Sequence, residues 1–355
     1  MNIDKRISAF SQLGSYLKRL GSGEKSPVSE TNNPYYDKLV NVVNDSYLYN
    51  GWFIEENVKH MLLSLGNSIE KSKLEEWVSR YGESINNVIE PKTVAVIMAG
   101  NIPVVGFHDF LSVLISGNRI LVKMSSDDNK LLPAIAELLI SIEQEFSDFI
   151  KFTDEKLKGF DAVIATGSGN TTRYFDFYFG KYKNIIRSNR NGVAVLNGKE
   201  SEEDLEALAN DIFMYFGLGC RNVSKIFLPE GFDFIPMLDV FAKRKDISLM
   251  SKYFNNYEYN KAIFLVNSRK HYDTDNALYV EDKAYASAVS VLHYEYYSDI
   301  NELNNKFKMD SNDIQCVVSS EDKIENKLDF GQSQQPQLWD YADGVDTLEF
   351  LLNLD

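Results

Sequence analysis

The chain has 355 residues and carries 52 Asp and Glu against 37 Lys and Arg, which gives a net charge of −15 at pH 7. This negative balance disfavours nucleic acid as a partner, because binding to the phosphate backbone needs a basic surface. A hydrophobic content of 44% excludes a disordered chain, and the length suggests roughly two domains. Two cysteines cannot build a disulfide framework, and the N-terminus lacks the apolar core of a signal peptide, so we expect a cytoplasmic protein.

The N-terminal part of the chain predicts helices. Apolar residues recur at helical spacing from Ile3 to Leu20 and again from Tyr35 to Tyr81, on either side of a Gly/Ser/Pro linker at 21–34. We therefore predict a helical N-terminal segment over residues 1–90. The predicted inward positions of its second part are Val58, Leu62, Leu63, Leu74, Trp77 and Val78.

Strands and helices alternate after Lys92. The run 93–98 is continuously apolar, which is typical of a strand buried on both faces of a parallel sheet. Asn101 is predicted to cap a helix that has Pro103 in its first turn. Because the apolar stretch 94–117 also contains His108 and Asp109, we expect no integral membrane segment there. Further strands are predicted at 119–122, 162–165 and 184–187, and further helices at 131–146 and 170–179.

This alternation predicts an α/β fold with an open, doubly wound sheet, whose ligand lies beyond the carboxyl ends of the strands. A second α/β unit begins near Val193. Ser201 is predicted to cap a helix with an acidic first turn and a buried stripe that runs from Leu205 to Phe216. Gly217 and the two residues after it end this helix, and a strand follows at 225–228.

Cys220 is the sharpest candidate for chemistry. It follows Gly217-Leu218-Gly219, where the backbone can approach a substrate closely, and Arg221 adds positive charge next to it. A small buried cysteine after a helix-ending glycine explains the same pattern equally well, so both readings stay open. Cys316, in an apolar run, is predicted to be an ordinary strand residue.

Asn101 is a second candidate, because it comes directly after a strand, in Ala99-Gly100-Asn101-Ile102-Pro103. An amide at this place can donate to a developing oxyanion, a contact worth about 3 kcal/mol. The local sequence favours the alternative role of helix N-cap.

Several residues at strand ends could bind a cofactor. Thr166-Gly167-Ser168 lies between a strand and a helix, as in turns that hold phosphate, although the full dinucleotide fingerprint is missing and a turn without ligand fits equally well. Lys123 ends a strand and could reach a ribose or phosphate, unless it is simply exposed. Glu281, next to Asp282, is either a site carboxylate or a solvated loop residue. The four histidines show no metal-ligand spacing, so we expect no metal.

Taken in order, these motifs resemble the aldehyde dehydrogenase superfamily, and within it the acyl-CoA reductases related to the fatty-acid reductase of bacterial luminescence. The resemblance covers about 50–354. It is carried by Gly100-Asn101-Ile102-Pro103, by Gly117-Asn118 with Leu121-Val122-Lys123-Met124-Ser125, by Thr166-Gly167-Ser168, and by Gly217-Leu218-Gly219-Cys220. Near the C-terminus it is carried by Gly331-Gln332-Ser333-Gln334-Gln335-Pro336 and Asp340-Tyr341-Ala342-Asp343-Gly344-Val345-Asp346.

The resemblance implies an aldehyde-dehydrogenase-like fold with a nucleotide-binding domain at 91–187 and about 305–355, and a catalytic domain at 188–304. It implies Cys220 and Asn101 as catalytic residues. The cofactor-binding residues it implies, together with Glu281, are Gly100, Lys123, Ser125, Thr166, Gly167 and Ser168.

Two departures from the family pattern refine the expected reaction. The general-base Glu-Leu-Gly-Gly segment of hydrolytic members is replaced by 187–192, beginning with Arg187, which favours exchange with a thiol such as CoA over attack by water. Ser126 replaces the acid that follows Lys123, which favours NADPH, with NAD also open. We predict reduction of an acyl-CoA, or another acyl thioester, to an aldehyde through a cysteine thioester. Aldehyde oxidation on the same fold and a noncatalytic nucleotide- or acyl-binding scaffold are the alternatives, and a homo-oligomer stays open.

Overall fold

The computed structural model describes residues 1–23, 33–86, 90–167 and 169–354. The chain forms two compact units. The first consists of Met1–Asn189 and Pro336–Asp355, and the second of Arg190–Gln335. The second unit is therefore inserted in the sequence of the first. Most of the predicted linker, at 24–32, lies outside the described residues.

Helices open the first unit, as predicted. The first begins after Asn2, whose side chain accepts the N–H of Lys5, and it buries Phe10, Leu13 and Leu17 completely. The inward positions predicted after the linker are buried, except for the half-buried Leu63. The helices are α1 (Ile3–Ser22), α2 (Pro34–Asn44), α3 (Ser46–Tyr49), α4 (Glu55–Ser68) and α5 (Lys71–Ser79), and a 3₁₀ turn follows at Gly82–Asn86.

A five-stranded parallel sheet forms the centre of the first unit. Its strands are β1 (Thr93–Ile97), β2 (Arg119–Lys123), β3 (Ile150–Phe152), β4 (Ala162–Thr166) and β5 (Lys183–Arg187), in the order β3-β2-β1-β4-β5. The helices around it are α6 (Phe107–Ile115), α7 (Leu131–Ile142), α8 (Gly169–Phe179) and, after the second unit, α13 (Thr347–Leu352).

The sheet is buried on both faces, which explains the apolar runs of its strands. Val94 and Val96 belong to the large core that includes α1, α6 and α7, whereas Ala95 packs with Val163 and Ala165 against residues of α8. The prediction of a doubly wound sheet is therefore confirmed. The short strand β3 was not predicted, and the predicted helix 131–146 ends at Ile142, before a 3₁₀ turn at Gln144–Asp148.

The second unit has a six-stranded sheet in the order β11-β6-β7-β10-β9-β8, with only β8 antiparallel to its neighbour. The strands are β6 (Asn191–Val195), β7 (Val223–Pro229), β8 (Tyr272–Asp273), β9 (Leu278–Glu281), β10 (Val291–Tyr297) and β11 (Ile314–Ser319). The helices are α9 (Glu202–Phe213), α10 (Phe234–Phe241), α11 (Ser251–Val266) and α12 (Ile300–Met309).

The start of α9 and the place of Cys316 agree with the sequence. Ser201 and Asp204 form a reciprocal capping box at the start of α9, and Cys316 lies on β11. The predicted domain boundary near 305 differs from the division into units, because β11 pairs with β6 and so places 314–319 in the second unit. Which unit binds nucleotide stays a prediction.

Candidate active site

The candidate cofactor residues of the first unit follow the ends of neighbouring strands. Gly100 and Asn101 come after β1, Lys123 ends β2, and Thr166 ends β4 with Gly167 next to it. All these strands are parallel, so their carboxyl ends lie at one edge of the sheet. The strand order reverses between β1 and β4, and ligands of open α/β sheets bind at such a switch point.

Asn101 is exposed and lies in a bend rather than at a helix start. The next helix, α6, begins only at Phe107, and Gly106 precedes it. The predicted N-cap role of Asn101, with Pro103 in the first helical turn, is therefore wrong. The physical reason is Val104, which has a left-handed backbone with φ of 54° and interrupts any helix from Asn101.

A buried carboxylate holds this bend. Asp128 accepts the N–H of Val104 at 2.8 Å and that of Leu131 at 3.4 Å. Burial raises the pKa of Asp128, whereas these hydrogen bonds lower it. A β-branched residue in the left-handed region is strained by about 1–2 kcal/mol, so we expect the bend to depend on this acceptor.

Gly100 and Ser125 are packed against each other. A Cβ atom on Gly100 would lie 2.7 Å from the Ser125 Oγ and 3.0 Å from the Asp128 nitrogen. The Ser125 hydroxyl also accepts the N–H of Asp127 at 3.2 Å. The backbones after β1 and β2 therefore approach each other closely, and only glycine fits at position 100 without a shift.

Lys123 and the β4 turn lie at the same edge. The Lys123 ammonium donates to the carbonyl oxygens of Asp154 and Glu155, at 3.2 and 3.0 Å. The N–H of Gly167 donates to the Arg187 carbonyl oxygen at 3.2 Å. A Cβ on Gly167 would lie 2.9 Å from the Phe175 ring. Ser168, the remaining predicted residue of this turn, lies outside the described residues.

Arg187, at the end of β5, forms a buried ion pair that the sequence did not reveal. Its Nη1 donates to both carboxylate oxygens of Asp109 on α6, at 2.8 and 2.6 Å, and its Nη2 donates to the Thr347 hydroxyl at 2.7 Å. The side chains of Arg187 and Asp109 are only 5% and 9% exposed. One signal was available, since Asp109 is a carboxylate inside an apolar helix and needs a partner.

Cys220 is half-buried and lies in the loop between α9 and β7 of the second unit. The helix ends at Phe213, earlier than predicted, and Tyr215, Phe216 and Gly217 then have φ of 52°, 59° and 75°. This left-handed turn moves Phe216 out of the predicted helical stripe, although Phe216 is still buried.

The loop around Cys220 is anchored on both sides. The N–H of Gly219 donates to the Asn222 Oδ1 at 2.8 Å, and the Arg221 Nε donates to the Ser333 carbonyl oxygen at 2.6 Å. The Asn222 amide nitrogen donates in turn to the carbonyl oxygens of Asp211 and Met214, at 3.0 and 2.8 Å. Because both neighbours of Cys220 are bonded, the backbone that presents its sulfur has little freedom.

Glu281 is the exposed last residue of β9. Its neighbour Asp282 forms an ion pair with Arg269 at 2.5 Å and accepts the N–H of Ala284 at 2.9 Å. The backbone bond from Ala284 and the bond from Arg269 lower the pKa of Asp282. Asp282 therefore has a structural partner.

Neither a metal centre nor a membrane span is visible in the part of the chain that the structure describes. Residues 1–23, 33–86, 90–167 and 169–354 contain no group of three or more His, Cys, Asp or Glu side chains arranged to hold a metal ion. Within the same ranges, every helix is too short or too polar to cross a bilayer.

Comparison with known proteins gives a family and a fold. Residues 30–234 match the family model of the LuxC acyl-CoA reductases. Aldehyde dehydrogenase 21 from Physcomitrella patens has a similar structure, with a TM-score of 0.66 and 12% identity over 99% of this chain and 87% of that one. An oxidoreductase from Marinobacter aquaeolei gives a TM-score of 0.64 and 10% identity over 91% and 75% of the two chains. A search of curated protein sequences gave no match.

Proposed function

Because the chain belongs to the LuxC family of acyl-CoA reductases, we propose that Cys220 is the nucleophile that takes the acyl group from the thioester. The family establishes the class of reaction: the protein is a nicotinamide-dependent oxidoreductase that reduces an acyl-CoA to an aldehyde. The aldehyde-dehydrogenase-like fold predicted from the sequence is confirmed by the structural similarity. The residues that perform the reaction are the subject of the proposal.

The anchored loop of Cys220 is the observation that carries this proposal. A nucleophile needs a fixed backbone, and hydrogen bonds from Gly219 and Arg221 fix both sides of the cysteine. Attack of the Cys220 thiolate on the acyl carbonyl forms a new C–S bond, and the C–S bond to CoA then breaks. CoA leaves as a thiolate that takes up a proton, and an acyl-enzyme thioester remains.

Asn101 is proposed as a donor to the oxyanion of this reaction. Its side chain is exposed on a bend that the Asp128 carboxylate holds, and it is not used as a helix cap. A positioned amide of this kind stabilises a tetrahedral intermediate by about 3 kcal/mol. We expect Asn101→Ala to lower kcat by a factor of about 10²–10³.

The first unit has residues that suit a nicotinamide dinucleotide. We infer that a phosphate-bearing ligand binds at the switch point of its sheet, near Gly167, which precedes α8, and near the Lys123 ammonium. Thr166, Ser125 and the close backbone at Gly100 complete this edge, and Glu281 is a further proposed cofactor-binding residue. When bound, the cofactor supplies the hydride that reduces the acyl thioester to the aldehyde.

We propose NADPH rather than NADH. Ser126, which follows β2, is exposed and uncharged, so it does not repel a 2′-phosphate as a carboxylate would. The ratio of kcat/KM for the two cofactors tests this preference. Replacement of Ser126 by Glu should shift the ratio toward NADH, and an unchanged ratio would contradict the assignment.

Arg187 supports transfer of the acyl group to a thiol over hydrolysis. It occupies the segment where hydrolytic relatives are expected to carry a base, and its guanidinium is committed to Asp109. A guanidinium cannot accept a proton at neutral pH. We therefore propose that water attacks the acyl-enzyme slowly. The cytoplasmic location and the oligomeric state stay predictions.

The test compares Cys220→Ser with Cys316→Ser. NADPH absorbance is followed with acyl-CoA substrates of several chain lengths, and intact mass spectrometry looks for an acyl adduct on the protein. We expect Cys220→Ser to abolish both signals while it remains folded, and Cys316→Ser to retain them. Reduction of NADP⁺ with aldehyde, with and without CoA, tests the oxidative direction. An active Cys220→Ser protein would overturn the assignment, and a fully inactive wild type would favour a binding scaffold.

A further inference from the structure

A buried carboxylate in the second unit binds a segment that is distant in the sequence. Asp211, on α9, is 1% exposed. It accepts the N–H of Gly331 at 2.6 Å and that of Ser333 at 3.0 Å, one on each carboxylate oxygen. Burying a carboxylate is costly unless donors surround it, so this arrangement needs a reason beyond packing.

The segment 331–333 is fitted to α9 at close range. Gly331 has φ of 82°, a conformation that favours glycine. A Cβ atom at this position would lie 3.3 Å from the Ala207 Cβ on the same helix. Burial raises the pKa of Asp211, whereas the bonds from Ser333 and Gly331 and the nearby charge of Arg221 lower it.

Ser333 connects this carboxylate to the candidate nucleophile. The Ser333 carbonyl oxygen accepts the Nε of Arg221 at 2.6 Å, and Arg221 is the residue next to Cys220. The Arg221 carbonyl oxygen lies 3.7 Å from the Cys316 Sγ, on β11. Two hydrogen bonds therefore link the Asp211 carboxylate to the Arg221 side chain through Ser333, and Arg221 is joined to Cys220 by the peptide bond between them.

The backbone on the other side of Cys220 is tied to the same helix end. Asn222 accepts the N–H of Gly219 and donates to the carbonyl oxygen of Asp211 itself, at 3.0 Å. The loop is thus held twice by one region of α9, once through Asn222 and once through the turn at 331–333. A shift of that turn moves one of the two supports of the cysteine.

We propose that Asp211 is a positioning residue for acyl transfer: its carboxylate holds the 331–333 turn, and through the Ser333 carbonyl and Arg221 it fixes the backbone that presents Cys220. This inference rests on the proposed role of Cys220 as nucleophile. Only a carboxylate offers a separate acceptor oxygen to each of the two N–H groups, because an asparagine amide has a single acceptor oxygen and turns an NH₂ toward the other donor.

The test compares Asp211→Asn with Glu206→Gln, an exposed carboxylate change on the same helix. Circular dichroism and a thermal melt establish the temperature range over which each variant is folded. We expect Asp211→Asn to lower kcat for acyl-CoA reduction by tenfold to a hundredfold, on the order of the effect of a small misplacement of a reacting group. KM should change less than threefold, because the substrate contacts themselves are kept, and Glu206→Gln should match the wild type.

Hydrogen exchange gives a readout that does not depend on activity. Asp211→Asn should increase amide exchange at Gly331 and Ser333 and also at Gly219, on the opposite side of Cys220. An increase in exchange that is confined to the 331–333 turn would overturn the proposal, and so would an unchanged kcat in folded Asp211→Asn protein. If the wild type does not reduce acyl-CoA, the proposed function fails, whereas the exchange at Gly219 still decides whether Asp211 holds the loop.

A second variant serves if Asp211→Asn does not fold. Arg221→Met retains the aliphatic stem but removes the Nε that donates to the Ser333 carbonyl oxygen. We expect the same fall in kcat with nearly constant KM, and increased exchange at Gly219. A folded Arg221→Met protein with wild-type kcat and exchange would refute the connection between the turn and Cys220.

Discussion

The buried pair of Arg187 and Asp109 allows a quantitative prediction about the first unit. Removal of one partner, in Asp109→Leu or Arg187→Met, leaves a charge that is more than nine-tenths buried, since the two side chains are 5% and 9% exposed. Breaking a buried pair in this way costs about 3–5 kcal/mol of the free energy of unfolding. The effect should be large for Asp109→Leu, because the buried Arg187 Nε has no hydrogen-bond partner among the described residues.

The double variant, with both charges replaced, should be much less damaged than the sum of the single variants. Apolar residues that replace both members of a buried pair are often neutral or stabilising. We therefore expect a coupling energy of about 3 kcal/mol or more in the double-mutant cycle, at the upper end of what contacting residues show. The exposed pair Lys38–Glu137, 53% and 39% exposed, is the control and should contribute less than about 1 kcal/mol.

Tryptophan fluorescence during urea unfolding is a suitable assay. The three tryptophans, Trp52, Trp77 and Trp339, all belong to the first unit, so their signal reports on that unit. A loss of less than about 1 kcal/mol of unfolding free energy in the single variants would refute the reasoning, as would a double-mutant cycle with no coupling. A buried guanidinium that loses its carboxylate partner must be strongly destabilised.

Three further predictions concern other positions. Gly100→Ala should lower kcat at least tenfold, because its Cβ would lie 2.7 Å from the Ser125 Oγ and displace the bend. The free energy of unfolding of the second unit should stay nearly constant, and steady-state kinetics measure the fall in kcat. Burial lowers the pKa of His108, so its contribution to stability is full above about pH 6.5 and is lost as pH falls below it, when the unfolded chain takes the proton; His108→Gln should flatten the pH dependence of urea midpoints. Glu295→Gln should increase hydrogen exchange in β7 more than Lys225→Met does, because it leaves a fully buried ammonium without the negative charge of its carboxylate partner.

Local patterns predicted the elements whose causes are local. The run 93–98 is apolar because β1 is buried on both faces, and Ser201 starts α9 because its partner Asp204 is three residues away. Both causes can be read within a short window of sequence.

The errors arose where distant residues decide the local conformation. Asn101 is a residue type that favours the N-cap position. Asp128, 24 residues from Val104 in the sequence, nevertheless holds the Val104 backbone in a left-handed conformation. Phe216 fits a helical stripe, but the chain leaves the helix at Phe213 and is tied back through Asn222.

The support of Cys220 was equally hidden. The bond between Asp211 and Gly331 joins residues 120 positions apart, and no periodicity or spacing signals it. The sequence identified the cysteine and the Gly-Gln-Ser motif separately, and only the structure shows that they are connected.

The discontinuous first unit has a consequence for the order in which the protein folds during synthesis. The second unit, Arg190–Gln335, is complete before Pro336–Asp355 leave the ribosome, whereas Leu348, Leu351 and Thr347 of that last stretch are almost fully buried in the first unit. During synthesis the core of the first unit therefore stays incomplete while the second unit, which is made later, can already fold. A stop codon near residue 336 would then give a product in which the second unit is complete, whereas the first unit lacks its last buried residues.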